Sequence, residues 1–473
     1  MASYPYNYSP QTPFTDTALK IEQGWALDVT KNESTLFRLL ERGMNAGTLQ
    51  EYPSGGSQFI FELVNGYSAS GGLPDSNNSI AGIGRYNETN SKVGITPFFD
   101  YGRTTITQQE MESILGNDRA YYDRKQLKLK NIYGVMAHRY SSIMYGTGQY
   151  GIMGQVTSTG GGVTVNSASA TFSLTVKQVE RLPKNQDVFF LTSAGADISN
   201  CLPGIVVDYS SVQSGEGAVT FVFPTYVSTS FTIPNDALIC VVNSRVAGSP
   251  GSNLFYANGL DEMIGTATHP RAEGNNTTNN SAQYKSQVIA LSSGSVDIWK
   301  LRWLLQLVKK NCATRRLETD GAEIRGEKFD EGGYVRQNMF VLLMHPDTKL
   351  KLEKAFYDGK LDIRTDPGWK MGQTVDEGIR YDTFQGVPLI EDLLCGQDRI
   401  FLVHLGAIGK ATLVPFGPPP FTTTEFIRVP ETLNYELVRR WAGNYVPLYR
   451  DCLGKISVSS GVLGVTASEM TGA

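Results

Sequence analysis

Histidine and cysteine are scarce in this chain of 473 residues, with four of the former and five of the latter. The cysteines, Cys201, Cys240, Cys312, Cys395 and Cys452, are odd in number and widely spaced, with no CxxC among them. That pattern argues against a disulfide framework or a structural zinc site and suits a reducing compartment. His138, His269, His345 and His404 never fall within four residues of one another, and neither HExxH nor His-x-His occurs. Spacing therefore predicts no metal site. A GxSxG elbow, a Walker A loop and a GxGxxG after a strand are also missing, since Gly82-Ile83-Gly84 falls in a polar loop. No cofactor is expected. No window approaches the ~20 apolar residues of a membrane span. The opening, MASYPYNYSPQTPFTDTALK, lacks the basic and apolar segments of a secretory leader.

Charge of one sign is lacking too. The formal net charge is −4 and no long basic run exists. A tight, sequence-independent grip on nucleic acid is thereby disfavoured, because that affinity comes from Lys and Arg on phosphates; weak or enclosed contact with DNA is compatible.

What is present is a folded composition. Hydrophobic residues make up 41% and charged residues 19%, and 49 glycines with many Ser, Thr and Asn predict numerous turns and much β structure. The length allows two or more domains.

Residues 1–17, rich in Tyr, Pro, Ser and Thr, read as an extended arm. Leu19, Ile21, Trp25, Leu27, Leu36, Leu39 and Leu40 mark a helical segment after it. GSQFIFELV then alternates as a strand, with Phe59, Phe61 and Leu63 on one face. The expected return strand is KVGITPFFDYGRTTIT, and Asn65 to Ser91 between them is small and polar. A loop of that length in a compact domain is normally functional or mobile, and it reads as the tip of a projecting hairpin.

Thr107-Gln108-Gln109-Glu110 forms a capping box. From Arg119, apolar residues Tyr122, Leu129, Ile132, Met136, Tyr140 and Ile143 give one stripe along a helix of roughly 40 Å, ended by Gly146 and Gly148. From about Gln155 to Ala247 the chain reads as short strands, such as TFSLTV and AVTFVF, punctuated by turns. Six or seven strands there predict a small barrel or sandwich, inserted between helical and α/β chain. A polar loop at Asn275–Asn280 precedes a second helix with the stripe Ile298, Leu301, Leu305, Val308 and Cys312. Asp320 to Gly333 reads as a charged loop. Strand, helix, then the strands GVPLIED and DRIFLVHLG follow, and the end carries TTTEFIRV and a small-residue tail, KISVSSGVLGVTASEM.

His345-Pro346-Asp347 has three readings: a J-domain-like signature, a catalytic His/Asp pair, or a strand-to-helix joint. The preceding run Val341-Leu342-Leu343-Met344 is that of a buried strand, where a J-domain has a helix. No recognisable nucleophile accompanies the pair. The joint fits best, because a residue before Pro is held extended and Pro-Asp-Thr suits a helix start. Leu352 and Phe356 are then expected to face the sheet, with Lys349 and Glu353 an exposed i,i+4 pair.

The order of parts (arm, projecting hairpin, long helix, second helix, strand–HPDTKLKLEKAF, then YDTFQGVPLIEDLLCGQDRIFLV) resembles the major capsid proteins of tailed bacteriophages. The resemblance implies an α+β fold of the Hong Kong 97 type. Its parts would be an N-terminal arm, an extended-loop hairpin, a long spine helix, peripheral and axial domains, and an inserted small all-β domain. The boundaries expected are arm and helix 1–50, extended loop 51–106, spine helix 107–154, inserted barrel or sandwich 155–247, peripheral/axial segment with the second helix 248–338, axial domain 339–425, and the return with C-terminal tail 426–473. The resemblance also implies self-assembly as hexamers and pentamers into an icosahedral shell around DNA, formed in the host cytoplasm. Implied partners are copies of the chain, a separate scaffolding protein, a portal at one vertex, a decoration protein and weakly held DNA, with no membrane. Contacts between subunits would involve Phe59, Phe61, Leu63, Gly71, Gly72, Arg85, Lys92, Phe98, Phe99 and Arg103. Some family members join subunits by a Lys–Asn isopeptide bond; Lys92 lies on the hairpin, but neither the acid nor the Asn partner is matched. The competing readings are a secreted or surface β-rich adhesion protein, which the missing leader disfavours, and an α/β hydrolase-like enzyme, which lacks its nucleophile motif.

Overall fold

The computed structural model describes residues 35–36, 39–40, 51–53, 59–66, 89–95, 97–107, 118–146, 151–157, 162–165, 171–213, 216–223, 230–242, 257–265, 285–291, 295–314, 340–358, 369–374, 380–385, 387–417, 426–428, 435–458 and 464–466. The expected arm, the hairpin tip, most of the capping box, His269 and the loops at 275–280 and 320–333 lie outside these residues.

Glu51–Pro53 (β1), Phe59–Gly66 (β2), Thr89–Ile95 (β3) and Phe98–Ile106 (β4) precede the helix Asp118–Met144 (α1). Ile152–Val156 (β5), Val163–Val165 (β6), Thr171–Lys177 (β7), Asp187–Leu191 (β8), Gly204–Gln213 (β9), Glu216–Val222 (β10), Phe231–Ile233 (β11) and Leu238–Val241 (β12) follow. Then come Gln287–Leu291 (β13), Ser295–Asp297 (β14), the helix Ile298–Thr314 (α2), Phe340–Met344 (β15) and the helix Pro346–Asp358 (α3). The chain continues through Trp369–Thr374 (β16), Arg380–Phe384 (β17), Val387–Glu391 (β18), Arg399–His404 (β19) and Ile408–Gly417 (β20). Phe426–Arg428 (β21), Tyr435–Pro447 (β22), Gly454–Val458 (β23) and Gly464–Thr466 (β24) complete it. The class is mixed α+β.

Three larger β assemblies organise these elements. A five-stranded sheet centres on β22, with β4 along one side, β20 and β21 along the other, and β1 parallel to β20. A closed barrel runs β10-β7-β5-β12-β8-β9, while β6 and β11 pair separately. A mixed seven-stranded sheet runs β13-β23-β19-β15-β18-β17-β16. Its interior strands β15 and β19 are buried almost throughout, which is why they read as unbroken apolar runs in sequence. Strand β23, read above as tail, lies inside this sheet between β13 and β19, with Ile456 buried. Small residues concealed it: at Gly454 an added Cβ would stand 3.0 Å from Leu304 Cδ1 and 3.1 Å from Val308 Cγ2 of α2. The helix needs a bare backbone beneath it there.

The barrel is filled by aromatics from alternate strand positions. Phe172 stacks on Phe221 and Phe223, Phe190 meets Phe221 edge-on, and Phe223 meets Phe231 edge-on. Such pairs contribute about 0.5–1.5 kcal/mol each beyond the area they bury. The inward residues Val219, Phe221 and Phe223 are the ones that alternation in AVTFVF selects.

Helix α1 lies across β4 of the five-stranded sheet. Leu129, Ile132, Tyr133, Met136, Ala137, Tyr140 and Ile143 form its buried face. Tyr140 stacks on Phe98 at 5.5 Å between ring centres and meets Trp441 edge-on at 4.6 Å. Gly102 sets how close helix and strand come. A Cβ on it would overlap Ile132 Cγ2 and stand 2.9 Å from Met136 Sδ. Beside this contact the Arg139 guanidinium pairs with the buried carboxylate of Asp100 and donates to the Tyr101 carbonyl at 2.9 Å. The last turn of α1, through Tyr145, is buried on every side, including Ser141 and Ser142, because it runs on towards the barrel. Ser142 Oγ donates back to the His138 carbonyl at 2.8 Å, so its hydroxyl is satisfied without solvent.

Replacing Gly102 with Val is expected to lower stability by about 1–3 kcal/mol through forced separation of α1 from β4. A thermal unfolding midpoint unchanged by Gly102→Val would refute that packing.

Candidate assembly surfaces and the joint that positions them

Strands β2 and β3 pair only with each other among the described residues. Phe59 stands opposite Ile95, Phe61 opposite Val93, Leu63 opposite Ser91, and Glu62 opposite Lys92. The register slips between Val64 and Gly66, as a strand does where extra backbone enters one side. Gly71, Gly72 and Arg85, expected at the tip, lie outside the described residues.

The expected return strand is in fact two strands. It breaks at Pro97: β3 ends at Ile95, and β4 begins at Phe98 in a different sheet. Proline has no N–H for the ladder and holds its predecessor to a narrow range, so a strand changes course there. This corrects the expectation for Phe98. Its side chain is 6% exposed and packs on Tyr140 and Trp441 of the same chain, so it belongs to the core and cannot face a neighbour. Phe99 is half-buried opposite Ala442. Arg103 is exposed opposite Val438, on a strand that also presents Tyr101 to solvent.

Sequence reasoning passed over several exposed apolar side chains. Trp299 and Trp303 of α2 are 47% and 57% exposed. Leu127 and Val135 of α1, Leu350 of α3 and Leu393 after β18 are exposed as well. The tryptophans could have been found. The stripe Ile298, Leu301, Leu305, Val308 and Cys312, buried as the spacing predicts, leaves positions 299 and 303 on the opposite side of the helix.

A buried polar joint fixes the barrel against the seven-stranded sheet. Tyr145, just past the end of α1, donates from its hydroxyl to Asp392 Oδ2 at 2.8 Å. Asp392 Oδ1 accepts the Leu394 amide at 2.9 Å, and the Asp392 amide donates to the Met344 carbonyl of β15. From the barrel side, Arg181 Nε donates to the Leu394 carbonyl at 2.8 Å. Burial raises the Asp392 carboxyl and the Tyr145 phenol above their ordinary ranges, and pushes the Cys395 thiol up as well. Burial, with the nearby Arg399 guanidinium, lowers Arg181 to about 10. Alongside, Asp261 pairs with Arg399 at 3.0 Å and with Lys455 at 2.6 Å. Burial pushes the Asp261 carboxyl up, but the two cations outweigh it and hold it below the usual carboxylate range.

His345 sits at the neighbouring corner, between β15 and α3. Its Nδ1 accepts the Asp347 amide at 3.1 Å, and its carbonyl accepts the Lys349 amide at 3.0 Å. The imidazole therefore acts as the N-cap of α3, with Pro346 in the first helical position. Asp347 Oδ2 accepts from Gln397 Nε2 at 2.8 Å, which ties the cap to the β18–β19 turn. Leu352 is fully buried under the helix, while the side chain of Phe356 lies outside the described residues. Lys349 differs from expectation: it is largely buried, stands 3.7 Å from Glu353, and makes its closer ion pair with Glu391 of β18. Elsewhere His404 is buried edge-on against Phe340, and His138 lies 3.5 Å from Ser142 Oγ. Among the described residues, no group of three or more His, Cys, Asp or Glu is placed to hold a metal.

No family model matches the sequence, and no curated protein does. Several solved structures align with most of this chain. The cyanophage A-1(L) capsid asymmetric unit aligns at 11% identity and a TM-score of 0.42, over 88% of this chain and 93% of that one. A Mycobacterium phage Adephagia structure aligns at 8% identity and 0.39, over 88% and 89%. The holo-SrpI encapsulin complex from Synechococcus elongatus PCC 7942 aligns at 11% identity and 0.38, over 88% and 86%.

Burial lowers the His345 pKa below 6.5. The folded state therefore resists the proton that the unfolded chain accepts, and stability is lost as pH falls below about 6.5. His345→Asn keeps a capping acceptor without the titration, so its thermal midpoint should fall less than the parent's between neutral pH and mild acid. Parallel decline of the two would refute the resisted protonation of His345. His345→Ala should cost about 0.5–2 kcal/mol at neutral pH.

Proposed function

We propose that this chain is the major capsid protein of a tailed double-stranded DNA bacteriophage, assembling as hexamers and pentamers into an icosahedral shell. The observation that carries this reading is the β2–β3 ribbon, which among the described residues joins no other sheet. A lone two-stranded ribbon is at best marginally stable in water. On this reading the ribbon, the longest of the two-stranded pairs among the described residues, is used outside the body of its own chain. Overlap with neighbouring subunits is such a use, because a ribbon can cover a neighbour's surface or extend its sheet edge.

The remaining parts take the roles that the sequence resemblance implies. Residues 1–50 form the arm and its helix, and 51–106 the extended loop together with β4, which anchors it to the body. Residues 107–154 carry the spine helix α1. The barrel, proposed above as 155–247, is an inserted domain on the α1–β13 connection; its first strand begins at Ile152. Residues 248–338, with the second helix, contribute to the peripheral and axial domains, 339–425 make up the axial domain, and 426–473 return to the peripheral domain and carry the C-terminal tail. Phe59, Phe61, Leu63, Gly71, Gly72, Arg85, Lys92, Phe99 and Arg103 remain the proposed contact residues. A separate scaffolding protein, a portal and a decoration protein are the proposed partners, and DNA would be enclosed with only weak contact. Such a protein needs no catalytic group, and the polar groups described above work as caps and joints.

Expression of the chain with its neighbouring genes, followed by negative-stain microscopy and sedimentation, tests the reading. Uniform shells, rings or tubes are the expected product; a monomer at high concentration with scaffold present would overturn it. Deleting residues 68–90 should leave soluble subunits that assemble poorly. Normal shells from that deletion would remove the ribbon from the assembly role.

A further inference from the structure

Helix α2 has two faces with different chemistry. One is the buried stripe that packs on β13 and β23. The other carries exposed Trp299 and Trp303, one turn apart, with Lys300, Gln306 and Lys310 also exposed. The Arg302 guanidinium lies over the Trp299 ring at 5.2 Å. The sequence of α2, IWKLRWLLQLVKKNCAT, has four cations and no acid, in a chain whose net charge is −4. Two large rings exposed beside cations fit an occupant that offers flat or proline-rich apolar surface and negative charge.

Residues 4–16, YPYNYSPQTPFTD, have that composition. Tyr4, Tyr6, Tyr8 and Phe14 are interleaved with Pro5, Pro10 and Pro13, and Pro10-Gln11-Thr12-Pro13 is a P-x-x-P motif. Asp16 is the one charged side chain in this stretch. Proline-rich segments of this type dock on aromatic surfaces, because little conformational entropy is left to lose. In an extended left-handed helix Pro10 and Pro13 would stand about 9 Å apart. Two tryptophans separated by about 6 Å of helix rise fall within that span, so each ring can meet one proline-flanked stretch of the segment. Asp16, three residues on, then meets the Lys300 and Arg302 end of the face.

We propose that the Trp299/Trp303 face of α2 is the docking surface for residues 4–16 of a second copy of this chain. The inference rests on the self-assembly proposed above and supplies an acceptor for the arm. The interleaved prolines and aromatic rings of the segment, spaced as a P-x-x-P motif, are what favour it as the occupant; charge alone would suit nucleic acid equally, and the test separates the two.

The test is photo-crosslinking in the full chain. p-Benzoylphenylalanine is incorporated at position 303, and at 299 as an independent probe, since both sites are exposed and tolerate a ring. Isotope-labelled and unlabelled copies are mixed before assembly, irradiated and digested. Hybrid cross-links joining position 303 of one isotopic copy to residues 4–16 of the other are expected. Cross-links confined to one copy, to nucleic acid or to other residues would overturn the proposal. Shells that form without hybrid cross-links would sink the docking alone. Hybrid cross-links without shells would sink the capsid reading alone, and neither product would sink both. As a second measure, Trp303→Ala and Pro13→Ala should each raise the concentration needed for assembly about tenfold, and the double variant should be no worse than either. Independent, multiplying effects would argue against contact between the two.

Discussion

The close approach of α1 to β4 is the constraint from which the rest of the molecule is arranged. It requires a bare backbone at Gly102, since Ile132 and Met136 occupy the space a side chain would take. It requires Asp100 and Arg139 to neutralise one another, since both are removed from water. Unpaired, either would cost several kcal/mol in such a setting. Once the helix is seated there, its far end has a fixed direction, and Tyr145 is carried to Asp392 beside the seven-stranded sheet. One 27-residue element thus links the five-stranded sheet, the barrel and the seven-stranded sheet.

The second link in that chain is polar where it could have been apolar. Tyr145, Asp392, Arg181 and the Leu394 carbonyl form directed bonds in a dry site. Such a set adds little net stability over a well-packed apolar joint of equal volume. Its consequence is geometric. An apolar contact can slide by an ångström at small cost, whereas each bond here is lost when its partner moves, and the group left behind is buried without a partner. Asp261 extends the same logic, holding β19 through Arg399 and β23 through Lys455. The barrel is therefore set against the sheet by a small number of directional contacts.

Periodicity made the regular parts legible from sequence. The α2 stripe, the inward residues of β10 and the apolar runs of β15 and β19 were visible because each element repeats one pattern against one partner. Three features escaped. The end of α1 is buried all round, but Arg139, Ser141 and Ser142 look like solvent residues until Asp100 and the His138 carbonyl are known to stand beside them. Strand β23 reads as a tail because its central place needs smallness at Gly454 more than bulk. The run through Pro97 reads as one strand because its alternation continues while its hydrogen-bonding partners change. His345 shows the opposite error: a tripeptide that looks like chemistry is a helix cap, and the difference lies in the Asp347 amide that Nδ1 accepts.

On the capsid reading, the energetics of a shell bear on these surfaces. A subunit contact strong enough to hold alone would trap misplaced subunits, whereas a contact near millimolar strength, about 4 kcal/mol, lets errors dissociate. Closure then supplies permanence, since a subunit held by several such contacts at once dissociates only when all are broken together. On that reading, the ribbon and the pair of exposed tryptophans would be contacts of this grade. Among the described residues the ribbon joins no further strand, and the two tryptophans are exposed. On the capsid reading, the body of the chain is made rigid by the α1 joint so that these weak features are presented at fixed angles, and fixed angles are what allow many weak contacts to close on one another.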